Sequence, residues 1–258
     1  MKEIVFVLCE GPHDIAFLYR ILKTVGFESY KNKIGEYPEP IADFIKQSLN
    51  DFAIEDTKLD DLGKRPLPSE ALIFKDVLYL FYITHGDPKK ERRRFIVENI
   101  LKFKPEIIET GDNFSALEVG DEINYSIVYF FDANNKGVDS RIQTINSEIA
   151  EFTSFKFTKN LLNENGSIAY VKGIRFGAFI FSNNGENGKL EDILLPLMEK
   201  HNAKIFEHAE VFLQLKDDSR LKKLEVKRDG QGKVFEKRSN KKMRFDLQKS
   251  KVCIAGQL

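Results

Sequence analysis

The strongest constraint on this fold lies at residues 4–14. Ile4-Val5-Phe6-Val7-Leu8-Cys9 is an unbroken apolar run that stops at Glu10-Gly11-Pro12. A strand without polar alternation is covered on both faces, as in a parallel sheet. Apolar residues then recur at Ile15, Leu18, Tyr19, Leu22 and Val25, which is helical spacing. Asp14 falls at the start of that helix and Gly26 just past its end, both favoured positions for those residues. Strand, tight loop and helix in this order predict the opening of a parallel α/β sheet.

The same pattern recurs along the chain. Val77 to Thr84 and Ile123 to Phe131 read as further buried strands, and Ile168 to Phe181 as one or two strands around Gly173. Helices are predicted from Asp87-Pro88 through Phe103, from Val138 to Phe152, from Glu191 to His201 and from Ile205 to Leu215. Residues 28–76 are less regular and carry prolines around one amphipathic piece, Ile41 to Phe52. They read as an insertion after the first helix, with a mobile loop near residues 60–69. Glu225 to Lys237 looks like a hairpin around Asp229-Gly230-Gln231-Gly232, and Val252 to Ala255 like a final strand. A chain that continued past Leu258 would show the same ending.

Net charge is zero across 258 residues, but residues 216–251 hold 14 Lys/Arg against 6 Asp/Glu, a local excess of 14 − 6 = +8. The expected organisation is therefore an acidic α/β body, residues 1–215, and a basic β-rich extension, residues 216–258. A basic extension suits a phosphate backbone, and a solvated lysine-rich hairpin would have the same composition. No apolar run approaches the roughly 18 residues of a membrane span. The N-terminus lacks a signal-peptide cleavage site. The two cysteines, Cys9 and Cys253, sit in apolar contexts and read as buried thiols. The expected location is the cytoplasm, with no membrane partner.

Chemistry gathers where strands end, because ligands of parallel α/β sheets bind beyond the carboxyl ends of the strands. Glu10 and Asp132 each directly follow an apolar run. Carboxylate oxygens are hard ligands of the kind Mg²⁺ selects, and it needs only one or two of them when water and phosphate complete the shell. A less directly bound Glu10 would move a proton as general acid or base. His201 and His208 lie seven apart without a cysteine cluster, so no zinc site is read. No nucleophile elbow, Walker loop or dinucleotide fingerprint is present. A receiver-type phosphoacceptor at Asp132 fits the Glu-Gly-Pro loop poorly.

Val5-Phe6-Val7-Leu8-Cys9-Glu10-Gly11-Pro12-His13-Asp14 resembles the first motif of TOPRIM domains, an apolar strand ending in Glu-Gly-x-x-Asp. Tyr129-Phe130-Phe131-Asp132-Ala133-Asn134 resembles the second, a strand ending in Asp-x-Asp, with Asn134 replacing the second acid. Gly188-Lys189-Leu190-Glu191-Asp192 resembles a segment of stand-alone bacterial TOPRIM proteins, which are related to OLD-type nucleases. The resemblance implies a TOPRIM-like, mainly parallel sheet flanked by helices and Mg²⁺-dependent (or Mn²⁺-dependent) chemistry on nucleic acid, most simply a nuclease. It implies Glu10 as the acid/base residue and Asp132 as a metal ligand. Asn134 offers an amide oxygen without charge. Asp14, Glu191 and Asp192 are the other candidate ligands. Candidate nucleic-acid contacts are His13, Lys136, Lys189, Arg92, Arg93, Lys241 and Lys242, with DNA favoured over RNA. His85 ends the second strand and falls near the same sheet edge. Two alternatives are a nucleic-acid-binding or assembly module with an inactive site, and a small-molecule phosphohydrolase. A homodimer or a partner protein is compatible with either.

Overall fold

The computed structural model describes residues 1–50, 67–85, 90–103, 123–154, 161–214, 224–228, 230, 234–238 and 247–255. The chain divides into two compact units, Met1–Gly188 and Lys189–Leu258, so the break falls ahead of the boundary expected at residue 215.

In the first unit, β1 (Glu3–Cys9) leads through Gly11 into α1 (Pro12–Thr24). Proline at the first helical position loses no needed donor. Gly26, just past the helix, has φ +98°, the conformation that favours glycine there. Then come β2 (Glu28–Ser29), a 3-10 turn (Ile34–Glu36), α2 (Ile41–Asn50), β3 (Glu70–Phe74), β4 (Val77–Ile83) and α3 (Lys90–Leu101). β5 (Asn124–Asp132), α4 (Val138–Thr153), β6 (Ile168–Val171) and β7 (Ile174–Phe181) complete the unit.

One seven-stranded sheet has the order β2-β3-β4-β1-β5-β7-β6. β4, β1, β5 and β7 run parallel, and β3 and β6 are antiparallel to their neighbours. β2 is antiparallel to β3 and so shares the central direction, giving five strands of seven pointing one way. The continuous apolar runs produce this arrangement: β1 is fully buried from Ile4 to Cys9 and has parallel neighbours on both sides. One face carries Ile4, Phe6, Leu8, Tyr129 and Phe131 and packs on Ile142, Ile145 and Ile149 of α4 and Ile96, Val97 and Ile100 of α3. α1 lies on the opposite face, where Phe17 meets Phe181 edge to face.

The second unit holds α5 (Leu190–Glu199), α6 (Ala203–Gln214), the hairpin β8 (Leu224–Arg228) and β9 (Val234–Arg238), and α7 (Leu247–Ala255). Lys251 of α7 pairs with Glu210 of α6 at 3.1 Å.

Three expectations change. Residues 28–76, expected to hold one helix and a loop, also supply β2 and β3, which extend the main sheet from its β4 side. These strands are short and lie on an antiparallel edge, which tolerates polar residues and blurs their pattern. Val252 to Ala255 is the end of a helix, not a strand. Four apolar residues fit either period, and the good helix formers Leu247, Gln248 and Lys249 before them decide it. Cys9 is buried as expected, but Cys253 is exposed on that helix. The loop at residues 60–69 lies outside the described residues up to 66, as do Asp87-Pro88, the helix start expected there. Among the described residues no helix is long and apolar enough to cross a membrane.

Candidate active site

The two acidic strand ends are neighbours. β1 pairs with β5 in parallel register, Leu8 with Tyr129 and Cys9 with Phe130, so Glu10 emerges opposite Phe131, one step short of Asp132. After β1 the chain leaves through α1 on one face; after β5 it leaves through α4 on the other. Divergence of this kind opens a crevice between adjacent strand ends, the usual ligand position in open α/β sheets. Two-residue alternation puts position 10 on the α4 face and position 132 on the α1 face. The two acids therefore flank the crevice from its two sides.

The structure adds a residue that the sequence reading missed. Arg141, in the second turn of α4, is buried, and its guanidinium spans both strand ends. Its Nε donates to the main-chain carbonyl of Asp132 at 2.8 Å, and a terminal nitrogen donates to Glu10 Oε1 at 3.0 Å. The signal was present in the sequence: Val138, Arg141, Ile142, Ile145 and Ile149 share one helical face, so this arginine had to be buried.

The loops after β4 and β5 take unusual backbone conformations. Asn134 has φ +50° and His85, after β4, φ +57°, and both are residue types that tolerate left-handed backbone. Asn134 thus suits its backbone where an acidic second residue was expected. Its N–H donates to Gly188 O at 2.6 Å, and Gly188 N–H donates to Asn134 O at 3.0 Å. Gly137 has φ +82°, and a Cβ there would come within 3.4 Å of Asn187 Oδ1, so the turn into α4 needs glycine. Thr84 closes the neighbouring strand end, with both its N–H and its hydroxyl donating to Cys9 O at 2.8 Å.

The other candidates separate. Asp14 is buried in the first turn of α1, where its Oδ2 accepts from Gly11 N–H at 2.8 Å and fixes the Glu10-Gly11 loop. His13 is half-buried beside it. Lys136 is exposed on the loop after β5. Glu191, Asp192 and Lys189 belong to the second unit. There Asp192 accepts from Lys189 N–H at 2.9 Å and from Gln248 Nε2 at 2.7 Å, and buried Glu191 lies 4.0 Å from Lys249 Nζ. Lys241 and Lys242 lie outside the described residues.

Arg93 is not a surface contact for an anionic partner. It is buried, and its Nε and a terminal nitrogen donate to the two oxygens of Glu148 at 2.8 and 2.5 Å. It occupies the inward face of α3 with Ile96, Val97 and Ile100. Arg92 is partly withdrawn as well, and burial lowers its guanidinium pKa, with Tyr82 partly offsetting the effect. The outer cations of α3 meet acids: Lys90 pairs with Glu151, and Arg94 with Glu91 and Glu151.

Burial pushes the phenols of Tyr82 and Tyr129 far above their ordinary range, so neither ionises to serve as a nucleophile. Burial, reinforced by the charge of Asp14, likewise pushes the Cys9 thiol up and leaves it inert.

The residue types at the two strand ends bear on which metal they could hold. Among the described residues no group of three or more His, Cys, Asp and Glu is gathered to hold a metal ion. Asp132, Asn134 and Glu10 offer hard oxygens, two carboxylates and one amide. They fit Mg²⁺ or Mn²⁺, whose shell water and substrate phosphate complete.

Beside the Glu10 loop lies an open cleft of about 290 Å³, lined by Pro12, Ile15, Ala16, Tyr19, Arg20, Ser69, Glu70 and Ile83.

Among solved structures the chain is similar to the hypothetical protein PH0156 from Pyrococcus horikoshii OT3. Identity is 15% and the TM-score 0.44, over 81% of this chain and 74% of that one. No curated protein matches. A family model matches residues 5–231, and the chain belongs to that family, described as Protein of unknown function (DUF3226).

Proposed function

We propose that the crevice between β1 and β5 performs Mg²⁺-dependent phosphodiester chemistry on nucleic acid, as a TOPRIM-like nuclease. The observation that carries this reading is the pair of acidic strand ends, Glu10 and Asp132, on adjacent parallel strands at a point where the chain diverges. Asp132 and Asn134 are the residues that would hold the metal. When bound, Mg²⁺ would polarise the phosphodiester and stabilise the leaving oxygen. Glu10 is partly open to solvent and accepts the proton of an attacking water as general base. Asp14 holds the Gly11 backbone and so fixes the loop that carries Glu10. Tyr19 and Arg20, in the cleft beside that loop, offer a ring and a cation to a nucleotide strand. The basic residues 216–251 supply phosphate contacts, with DNA the favoured substrate.

The test is cleavage of single- and double-stranded DNA and RNA by the purified chain with Mg²⁺ or Mn²⁺. Cleavage that disappears in Glu10→Gln supports the reading. Failure to cut any of these substrates with either metal counts against it.

Asn134 in place of a second acid, with no group of three ligands gathered among the described residues, favours a second reading. In that reading the chain is a nucleic-acid-binding or assembly module with an inactive site. Salt-sensitive binding that survives Asp132→Ala, without turnover, distinguishes it.

A further inference from the structure

We propose that Arg141 is a positioning residue of this site: it is the standing counter-charge of Glu10, holding it outside the metal-binding group and aiming it as proton acceptor. The inference rests on the phosphodiester reading above. One guanidinium plane reaches two strand ends, donating from Nε to Asp132 O at 2.8 Å and from a terminal nitrogen to Glu10 Oε1 at 3.0 Å. Only arginine presents donors in a rigid fork that can join two such acceptors, whereas lysine offers a point charge. The Arg141 side chain is 4% exposed, so its charge needs a partner, and the carboxylate of Glu10 provides one. The same positive charge disfavours a second cation on that carboxylate.

Three consequences separate this arrangement from one in which Glu10 is a metal ligand. Loss of Glu10 leaves metal affinity nearly unchanged. Loss of Asp132 weakens it. Loss of Arg141 makes Glu10 available to the metal.

The experiment titrates Mn²⁺ into the full chain by electron paramagnetic resonance. It compares wild type, Glu10→Gln, Asp132→Asn, Arg141→Gln and the double variant Arg141→Gln/Glu10→Gln. Asp132→Asn is expected to weaken binding about tenfold or more, and Glu10→Gln to change it less than about twofold. In the Arg141→Gln background, Glu10→Gln is expected to weaken binding about tenfold, a coupling between sites in contact. In cleavage, Arg141→Gln lowers kcat about 10–100-fold with KM little changed, because the fault lies in orientation.

If Glu10→Gln weakens Mn²⁺ as much as Asp132→Asn does in the otherwise wild-type chain, Glu10 is a ligand and the inference is overturned, while the phosphodiester reading stands. If no protein binds Mn²⁺ and none cleaves, both fall together. Should Arg141→Gln not fold, Arg141→Lys carries the test. Its kcat is expected below wild type with an unchanged circular dichroism spectrum, and a wild-type kcat overturns the inference.

Discussion

Helix α4 contributes to two arginine–glutamate pairs, and they differ in form. In the first, Glu148 of α4 accepts both donors of Arg93, and the side chains are 7% and 1% exposed. Each charge is matched by the other in a closed fork, with Arg93 over the Phe131 ring at 5.5 Å. In the second, Arg141 of α4 divides its donors between a main-chain carbonyl and one oxygen of Glu10, whose side chain is 18% exposed. The closed pair joins α3 to α4 beneath the sheet and is almost wholly withdrawn from solvent. The divided pair sits at a crevice, with its carboxylate reachable by water. A closed pair serves architecture. A divided, half-open one leaves its carboxylate within reach of solvent.

Substitutions can break that contrast. The largest effect is expected at the divided pair. Glu10→Gln should lower cleavage about 10²–10⁴-fold, the usual contribution of a general acid or base, and should cost less in urea unfolding than the loss of Glu148, because glutamine still accepts from Arg141 and this pair reaches solvent. Retained cleavage with a collapsed midpoint would mean that the two pairs do the same work. At the closed pair the pattern reverses. Glu148→Ala strands a buried guanidinium and should cost about 3–5 kcal/mol in urea unfolding. Replacing both partners, Arg93→Met with Glu148→Leu, should recover most of that loss. A loss well below this range for Glu148→Ala would show that the pair carries little of the helix packing.

Asp14 lies between these extremes, since it holds the Glu10 loop from the start of a helix. Asp14→Ala should cost about 1 kcal/mol of stability by thermal unfolding, and should lower activity less than Glu10→Gln does. The smallest effect concerns Cys9, directly before Glu10. Its thiol is pushed above its ordinary value by burial and then by Asp14, so the folded chain keeps a proton that the unfolded chain releases. The stability this supplies is complete below the ordinary thiol value, roughly pH 8.5, and is lost as pH rises beyond it. Cys9→Ala should flatten that alkaline decline. A thiol reagent should modify exposed Cys253 in the native chain, and Cys9 only after unfolding.

The central strands were legible because continuous apolar runs have one economical solution, burial between parallel neighbours. β1, β4, β5 and β7 emerged at nearly their expected bounds for that reason. The edge strands β2 and β3 did not, since two and five residues on an antiparallel edge leave little periodic signal. The acidic strand ends were legible as well, each marking the end of such a run. What joins them was not, because Arg141 and Glu10 are 131 positions apart. A local pattern shows that Arg141 and Arg93 face inward, but it cannot name the carboxylate that receives each. Placing Arg93 among the candidate nucleic-acid contacts therefore failed, since its partner lies 55 positions away on another helix.

The position of β1 also governs the order in which the molecule can assemble. Its partners β4 and β5 are strands far along the chain, Glu3 pairing with both Val77 and Asn124. Both pairings must close long loops before any contact rewards them, which slows folding and leaves few productive routes. The crevice cannot exist until β5 has docked on β1, so Glu10 meets Arg141 only after the sheet centre is complete. The cleavage proposed for this site should therefore return late in refolding, after the recovery of most secondary structure.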